Sequence, residues 1–234
     1  MNADKIVACN VIRYDAGKNI FVADKKLTAV EKSFELHLNG EPFREILCSP
    51  EDLEDLAIGL LAQADKISSA KDISRLEIKS SVIEVEINPA VQPAPKTFSK
   101  VAFVAKDILA CADKLLGELS TTHNKTNGVH SGVLFDGQNV LLFREDIGRH
   151  NVFDKIYGAA LRQNIFLGDK MIIFSGRCSS EMIRKVARMK VPVVVAKSVP
   201  TSYSINLAKK FGITLAGRLT ADFFVFTATL SVLC

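Results

Sequence analysis

The sequence predicts an α/β protein, in which a β-rich N-terminal part precedes a layered sheet of mixed strand directions. Three observations predict this class. Residues 6–48 form strand-like segments joined by turns, and residues 105–226 alternate between strand and helix patterns. The segment 191–196 is apolar throughout (VPVVVA), which is typical of a strand that is covered on both faces of its sheet.

The N-terminal part, residues 1–98, is predicted to hold strands joined by hairpin turns and one helix. Asn39-Gly40, between two strand-like segments, is a strong hairpin signal because both residues tolerate a positive φ. Ser49 precedes a proline and an apolar stripe, so we expect it to be the N-cap of a helix. Another hairpin is expected at 73–87.

The second part, residues 99–234, follows a predicted linker at 88–100 that contains three prolines. Strands and helices are expected to alternate along it. In order, the expected elements are helix 105–118, hairpin 132–143, helix 151–163, strand 170–174, helix 180–189, strand 191–196, helix 202–211 and strands 214–216 and 223–226.

Composition narrows the function classes. The 234 residues are 48% hydrophobic and 24% charged, with a net charge of +4, which excludes a disordered chain and argues against a nucleic-acid binder. The five cysteines are scattered and form no CxxC, which argues against a zinc site and a disulfide framework. The start lacks an apolar signal core, and the apolar stretch at 223–234 is too short to span a bilayer. We therefore expect a cytoplasmic protein that binds no metal, nucleic acid or membrane.

Three junctions between a strand and the next helix carry polar or cationic residues. They lie at 144–151, 175–181 and 197–202. Ligands of α/β sheets bind beyond the carboxyl ends of strands, where helix N-termini present free N–H groups. The candidate binding residues are His130, Glu145, Asp146, Gly148, Arg149, His150, Asn151, Ser175, Gly176, Arg177, Lys197 and Ser198. This pattern predicts an anionic ligand, either phosphorylated or nucleotide-bearing.

Structural roles are the alternative at several of these positions. Ser179 and Thr201 are ordinary N-cap residues, and a capping role alone is the alternative to a binding role at these two positions. Glu145 and Asp146 could cap the next helix and pair with Arg149. For His150, a ligand or proton-handling role and a structural role stay equally open. The standard motifs of NTPases, dinucleotide-binding domains, zinc deaminases and α/β-hydrolases are absent from the sequence.

The motif EDIGRHNVFDK at 145–155 resembles the signature of the formate dehydrogenase accessory sulfurtransferases, the FdhD family. Other segments resemble further motifs of that family, in the same order along the chain. They are residues 30–42, 54–59, 128–131, 175–182 and 198–201. The resemblance covers residues 28–227 and combines several unrelated motifs with compatible spacing.

The resemblance implies a cytidine-deaminase-like fold without the zinc site, in a homodimer. It also implies a sulfur carrier that takes sulfur from a cysteine desulfurase to the molybdenum or tungsten bis-guanine-dinucleotide cofactor of formate dehydrogenase. Arg149, His150, Arg177, Lys197 and Arg218 would then hold phosphate and guanine groups, and GDP would be a surrogate ligand.

The chain departs from the family in its cysteines. The family holds its persulfide in a CxxC-type loop, whereas residues 88–105 of this chain contain no cysteine. Only a thiolate can form a persulfide. Cys178 follows Arg177 at a helix N-terminus, so we expect its pKa to be lowered and make it the candidate carrier; the alternative is a small residue that fills the junction. The alternative function is an FdhD-like module that binds the cofactor or a guanine nucleotide without sulfur transfer.

Overall fold

Strands of the N-terminal part form two separate sheets. The structure, a computed structural model, describes residues 5–88 and 101–228 and the backbone of residues 232–233. A long hairpin pairs β1 (Ile6–Asp15) with β2 (Ile20–Ala29). The second sheet has the order β4-β3-β6-β5, with β3 (Lys32–Leu38), β4 (Glu41–Cys48), β5 (Ile73–Lys79) and β6 (Val82–Ile87). The turn at Asn39-Gly40 is confirmed, with φ angles of 53° and 83°.

The first helix, α1 (Leu53–Gln63), begins later than predicted. Asp52 precedes it in the left-handed region, with φ 51°, and provides no side-chain cap. The prediction of Ser49 as N-cap is therefore wrong. Its hydroxyl accepts a hydrogen bond from Ile147 N at 3.1 Å, and its own N–H donates to Asp146 Oδ2 at 3.2 Å. These partners lie about a hundred residues away in sequence, so no local pattern indicates them.

The second part alternates strands and helices as expected. Its elements are β7 (Ala102–Phe103), α2 (Ala105–Lys114), α3 (Thr121–Thr126), β8 (His130–Phe135), β9 (Val140–Asp146), α4 (Arg149–Arg162), β10 (Met171–Phe174), α5 (Ser180–Met189), β11 (Val193–Ala196), α6 (Ser202–Phe211), β12 (Thr214–Gly217), β13 (Phe224–Thr227) and β14 (Val232–Leu233). The helices predicted at 180–189 and 202–211 are confirmed at those bounds, whereas α3 was not predicted. Most of the predicted linker, residues 89–100, lies outside the described residues, and the division at 98/99 stays a prediction.

The main sheet has six strands in the order β13-β12-β11-β10-β8-β9. β10, β11 and β12 run parallel, whereas β8 is antiparallel to both β10 and β9. β13 returns antiparallel to β12. The predicted α/β class with a layered, mixed sheet is thereby confirmed, and β9, β10, β11 and β12 all end at the same edge.

Helices cover both faces of the six-stranded sheet. One face packs against α4, α5 and α6, and the opposite face packs against α2. The four-stranded sheet packs against α1, which in turn crosses α4. Glycines bring these two helices into backbone contact, because a Cβ at Gly158 would lie 1.9 Å from Asp55 O and one at Gly59 would lie 1.8 Å from Asp154 O. No helix within the described residues is long and apolar enough to cross a membrane.

Candidate functional site

Loops from neighbouring strands meet at the edge where β9 to β12 end. Backbone hydrogen bonds join these loops in series: Ser175 N donates to Ser131 O at 2.9 Å, and Lys197 N donates to Phe174 O at 2.8 Å. Leu219 N then donates to Lys197 O at 2.9 Å. We call this region the polar edge; it contains His130, Arg149, Ser175, Gly176, Arg177, Lys197, Ser198 and Arg218. The structure thus brings these predicted site residues together.

Three cations of the polar edge have no carboxylate partner among the described residues. Arg177, Lys197 and Arg218 are exposed, and within the described part of the chain none of them forms an ion pair. Arg75, on the far sheet, instead pairs with both Glu77 and Glu86. Uncompensated cations at the mouth of a sheet attract anions more strongly than paired ones, because no internal carboxylate screens them.

Two of the helices that begin at this edge, α5 and α6, have different caps. At α6, Thr201 Oγ1 accepts a hydrogen bond from Ser204 N at 3.2 Å, so the capping interpretation of Thr201 is confirmed. At α5, Ser179 occupies the N-cap position but makes no capping bond, and its buried Oγ has no partner within the described residues. The first N–H groups of α5 therefore stay available to an anion, at the positive end of the helix dipole.

Gly176 allows the backbone to pass close to aromatic rings. A Cβ there would lie 2.6 Å from the Phe174 ring and 3.1 Å from Nδ1 of His130. Burial lowers the pKa of His130, and the charge of Arg149 lowers it further. His130 is therefore neutral at pH 7. Its ring can donate or accept a hydrogen bond with a ligand but adds no charge.

Carboxylates of the first junction face the interior. Asp146 is fully buried, and its Oδ2 lies 2.7 Å from Lys155 Nζ. Its Oδ1 accepts from Gly148 N at 2.7 Å and from Asn151 Nδ2 at 2.9 Å. The alternative interpretation, in which Asp146 pairs with Arg149, is therefore wrong, since Lys155 takes that place. These bonds hold the loop at the start of α4 in one conformation.

Glu145 is also buried, and it accepts a hydrogen bond from Ser131 Oγ at 3.1 Å.

Lys155 was not singled out from the sequence. The sequence spacing could have indicated its burial, because Lys155 lies three residues after Val152 and four before Ala159, which are both buried. Those positions share one helix face, so a lysine on this face indicates a buried partner.

His150 and Asn151 turn away from the polar edge. They line a separate cavity of about 330 Å³ between β4, α1, α4 and α5, which we call the β4–α5 cavity. Its other lining residues are Arg44, Glu45, Ile46, Leu47, Leu60, Asp154 and Lys185. His150 Nε2 lies 3.5 Å from Glu181 Oε2, while burial and the charge of Lys185 lower the pKa of His150. Residues of the first junction thus lie in two places: Arg149 belongs to the polar edge, and His150 and Asn151 line the β4–α5 cavity.

Comparison with known proteins finds relatives that match this chain over most of its length. The model of the FdhD/NarQ family matches residues 29–103 and 86–232. The chain belongs to the FdhD/NarQ family. Among its relatives, sulfur carrier protein FdhD of Geobacillus kaustophilus is 33% identical, over 92% of each chain. The protein of the same name from Bacillus subtilis is also 33% identical, over 96% of this chain and 97% of its own.

A solved structure has the same fold. It is the crystal structure of a candidate formate dehydrogenase accessory protein from Desulfotalea psychrophila, with a TM-score of 0.85 and 23% sequence identity. The alignment covers 96% of this chain and 98% of that one. At 23% identity this similarity supports the α/β fold and carries no conclusion about the activity.

The relatives are named sulfur carrier proteins, but three of the cysteines of this chain are buried. Cys178 is fully buried among side chains of α4, α5 and α6, and this burial raises its pKa to about 12. The expected lowering of that pKa is wrong, because loss of water around the thiol outweighs the helix N-terminus and Arg177. Burial also raises the pKa values of Cys48 and Cys111 to about 12.

The remaining cysteines differ. Cys9 is half-buried, with Sγ 3.1 Å from Thr28 Oγ1, and Cys234 lies outside the described residues. In the described ranges, no group of three or more histidine, cysteine, aspartate and glutamate side chains could hold a metal ion. The described residues therefore provide an edge of exposed cations and, at that edge, no activated thiol.

Proposed function

We propose that this chain is an accessory protein of formate dehydrogenase maturation that binds the guanine-dinucleotide form of the molybdenum or tungsten cofactor at the polar edge. Membership of the FdhD/NarQ family supports the role, as do relatives named sulfur carrier protein FdhD. The observation that carries the binding proposal is the set of exposed cations Arg177, Lys197 and Arg218, which follow three adjacent strands. A diphosphate is the group that such a row of cations suits.

Residues of the polar edge would divide the work of binding. Free N–H groups at the start of α5 donate to phosphate oxygens, while Arg177 and Lys197 neutralise their charge. Arg218 lies over the ring of Phe224 at 5.0 Å, and Phe224 is 48% exposed at the same edge. This aromatic ring offers a surface on which the guanine base can stack.

Titration calorimetry with GDP tests the binding proposal. We expect the wild-type protein to bind GDP and the Arg177→Ala and Lys197→Ala variants to bind about tenfold or more weakly, since a hydrogen bond to a charged group contributes about 1.5–3 kcal/mol. Arg75→Ala removes another exposed cation, from the far sheet, and should bind like the wild type. Equal affinity in all four proteins, or no binding to any, would contradict the proposal.

Sulfur carriage is the second candidate function, and the names of the relatives favour it. The donor would be a cysteine desulfurase, and the partner that receives the completed cofactor would be formate dehydrogenase. We infer that Cys48, Cys111 and Cys178 do not serve as the carrier, because a buried thiol with a pKa of about 12 supplies almost no thiolate. Free thiols fit the reducing cytoplasm, where we expect the protein to act.

Loading the protein with a cysteine desulfurase, followed by intact mass and peptide mapping, separates these two functions. Persulfide on Cys9 or Cys234 would support sulfur carriage by this chain. Protein without persulfide that still binds GDP would support cofactor binding alone. Persulfide that is present in the wild type and lost in Cys178→Ser would overturn the exclusion of the buried thiols.

A further inference from the structure

The outer edge of β4 carries backbone groups that face away from its own sheet. β4 is an edge strand of the four-stranded sheet and pairs with β3. Glu35 N of β3 donates to Ser81 O at 2.8 Å, so the backbone of Glu35 points away from β4. Glu45 lies opposite Glu35. Because opposite residues of an antiparallel pair either exchange hydrogen bonds or both point away, the N–H and C=O of Glu45 face outwards.

The end of β4 indicates the same direction independently. Leu47 O accepts a hydrogen bond from Asn151 Nδ2 at 2.9 Å and therefore points away from β3. Residues two apart on a strand direct their backbone groups to the same side, which again places those of Glu45 at the outer edge. Glu45 and Leu47 both line the β4–α5 cavity. A donor and an acceptor of the backbone are thus open to this cavity.

The start of α4 closes the edge of β4 beyond Leu47. Asn151 binds Leu47 O, and Ser49 N donates to Asp146 Oδ2 at 3.2 Å. A strand that is added beside Glu45 therefore cannot continue past Leu47. The cavity volume of about 330 Å³ is also at the lower end of the range for ligand cavities. The cavity fits the end of a chain and excludes a strand that runs through it.

The uncompensated charge at the cavity is positive. Lys185 Nζ lies 2.6 Å from Asp154 Oδ2, so these two charges offset each other. Burial raises the pKa of Asp154, and the charges of Lys185 and Arg44 oppose this rise, which indicates that Arg44 acts from the cavity side of β4. Arg44 is exposed and forms no ion pair with any described residue. Its guanidinium is therefore available to a carboxylate.

The carboxylate of Glu45 does not compensate Arg44 inside the cavity. It accepts a hydrogen bond from Ser33 Oγ at 2.8 Å, on the neighbouring strand. Successive side chains of a strand point to opposite faces, so this carboxylate lies on the other face of the sheet from Arg44 and Ile46. Ile46 and Leu60, which are 5% and 4% exposed, give the cavity an apolar wall.

We propose that the β4–α5 cavity binds the C-terminal end of an extended peptide from a partner protein. The peptide main chain pairs with the N–H and C=O of Glu45 as an added strand. Its terminal carboxylate binds Arg44, whose planar guanidinium can donate two parallel hydrogen bonds. An aliphatic last side chain packs against Ile46 and Leu60. An inorganic anion would use Arg44 but leave the backbone groups of Glu45 unpaired.

Fluorescence anisotropy with labelled five-residue peptides tests this site on the full-length chain. The probes end in valine, leucine or isoleucine with a free carboxylate and carry the label at the N-terminus. We expect the wild type to bind at least one of them saturably. The same peptide with a C-terminal amide should bind about tenfold or more weakly, because a charge-assisted bond is lost.

Variants of single cations locate the peptide. Arg44→Ala should bind the free-carboxylate peptide about tenfold or more weakly. Arg75→Ala removes an exposed cation from the opposite edge of the same sheet and should bind like the wild type. Far-UV circular dichroism checks that both variants are folded. Arg177→Ala should also bind the peptide normally, so peptide binding and the proposed cofactor binding can fail independently.

N-methylation of the peptide gives a readout of strand pairing. Methyl groups placed on each of the last three amides in turn should weaken binding at alternate positions, because every second residue of an added strand bonds to β4. Absence of binding by every peptide would overturn the proposal, as would equal affinity for the amide or an unchanged affinity in Arg44→Ala. Free leucine that binds as tightly as the peptides would overturn it as well, since it would assign the cavity to a metabolite.

Discussion

At the scale of single residues, the buried pair of Asp146 and Lys155 fixes the loop from which Arg149 extends. Both side chains are fully buried, and Lys155 Nζ also donates to Ser49 O at 3.3 Å and Glu145 O at 3.2 Å. This single ammonium group therefore connects the segment before α1 to the end of β9. Its removal leaves Asp146 as an unpaired charge in the interior.

We expect Lys155→Met to lower the free energy of unfolding by about 3–5 kcal/mol, the usual cost of breaking a buried ion pair from one side. Urea denaturation followed by circular dichroism measures this change. Lys79→Met removes an exposed ion pair with Glu77 and should leave the unfolding free energy close to that of the wild type. Equal losses in the two variants would show that the buried pair has no special role.

Protonation of His130 provides a prediction for pH. Its folded-state pKa is below the unfolded value of 6.5, so the unfolded state binds the proton first as the pH falls. The unfolding free energy should therefore decrease below about pH 6.5, until the pH passes the folded-state pKa. Urea titrations at several pH values should show a shallower decrease for His130→Gln. An unchanged slope in that variant would contradict the assignment.

At the scale of elements, the crossing of α1 and α4 depends on two glycines. A methyl group at Gly158 or Gly59 would overlap the backbone of the other helix. We expect Gly158→Ala and Gly59→Ala to destabilise the protein by about 1–3 kcal/mol or more, because the helices must move apart. Thermal denaturation measures the loss. Gly117→Ala has open space around its Cβ and should be neutral or stabilising, so an equal loss there would refute the packing argument.

Elements with a clear local signal were predicted from the sequence, and elements defined by distant contacts were not. The bounds of α5 and α6 follow from amphipathic patterns that end at Lys190 and Gly212, both in the left-handed region. The six residues of helix α3 (TTHNKT) are all polar. The helix therefore has no apolar stripe from which it could be predicted. The start of α1 was misplaced because Ser49 binds Asp146 and Ile147 of the second part.

At the scale of the whole molecule, the polar edge could be predicted because strand order and chain direction bring the ends of β9 to β12 together. What could not be predicted is which side chains face a ligand. Asp146 is neutralised by Lys155, and Asp154 by Lys185, whose Nζ lies 2.6 Å from Asp154 Oδ2. These pairs span helices and sheets, so spacing along the sequence does not reveal that Arg177 and Lys197 form no ion pair within the described residues.

Hydrogen–deuterium exchange with and without GDP tests the central claim most directly, because it locates the ligand as well as detecting it. The account predicts slower exchange in peptides that cover residues 175–182, at the start of α5, and 197–202, after β11. Peptides of the four-stranded sheet should be unchanged. Protection confined to β4 and the His150 region around the β4–α5 cavity, or no protection anywhere, would contradict the claim that the polar edge binds the nucleotide.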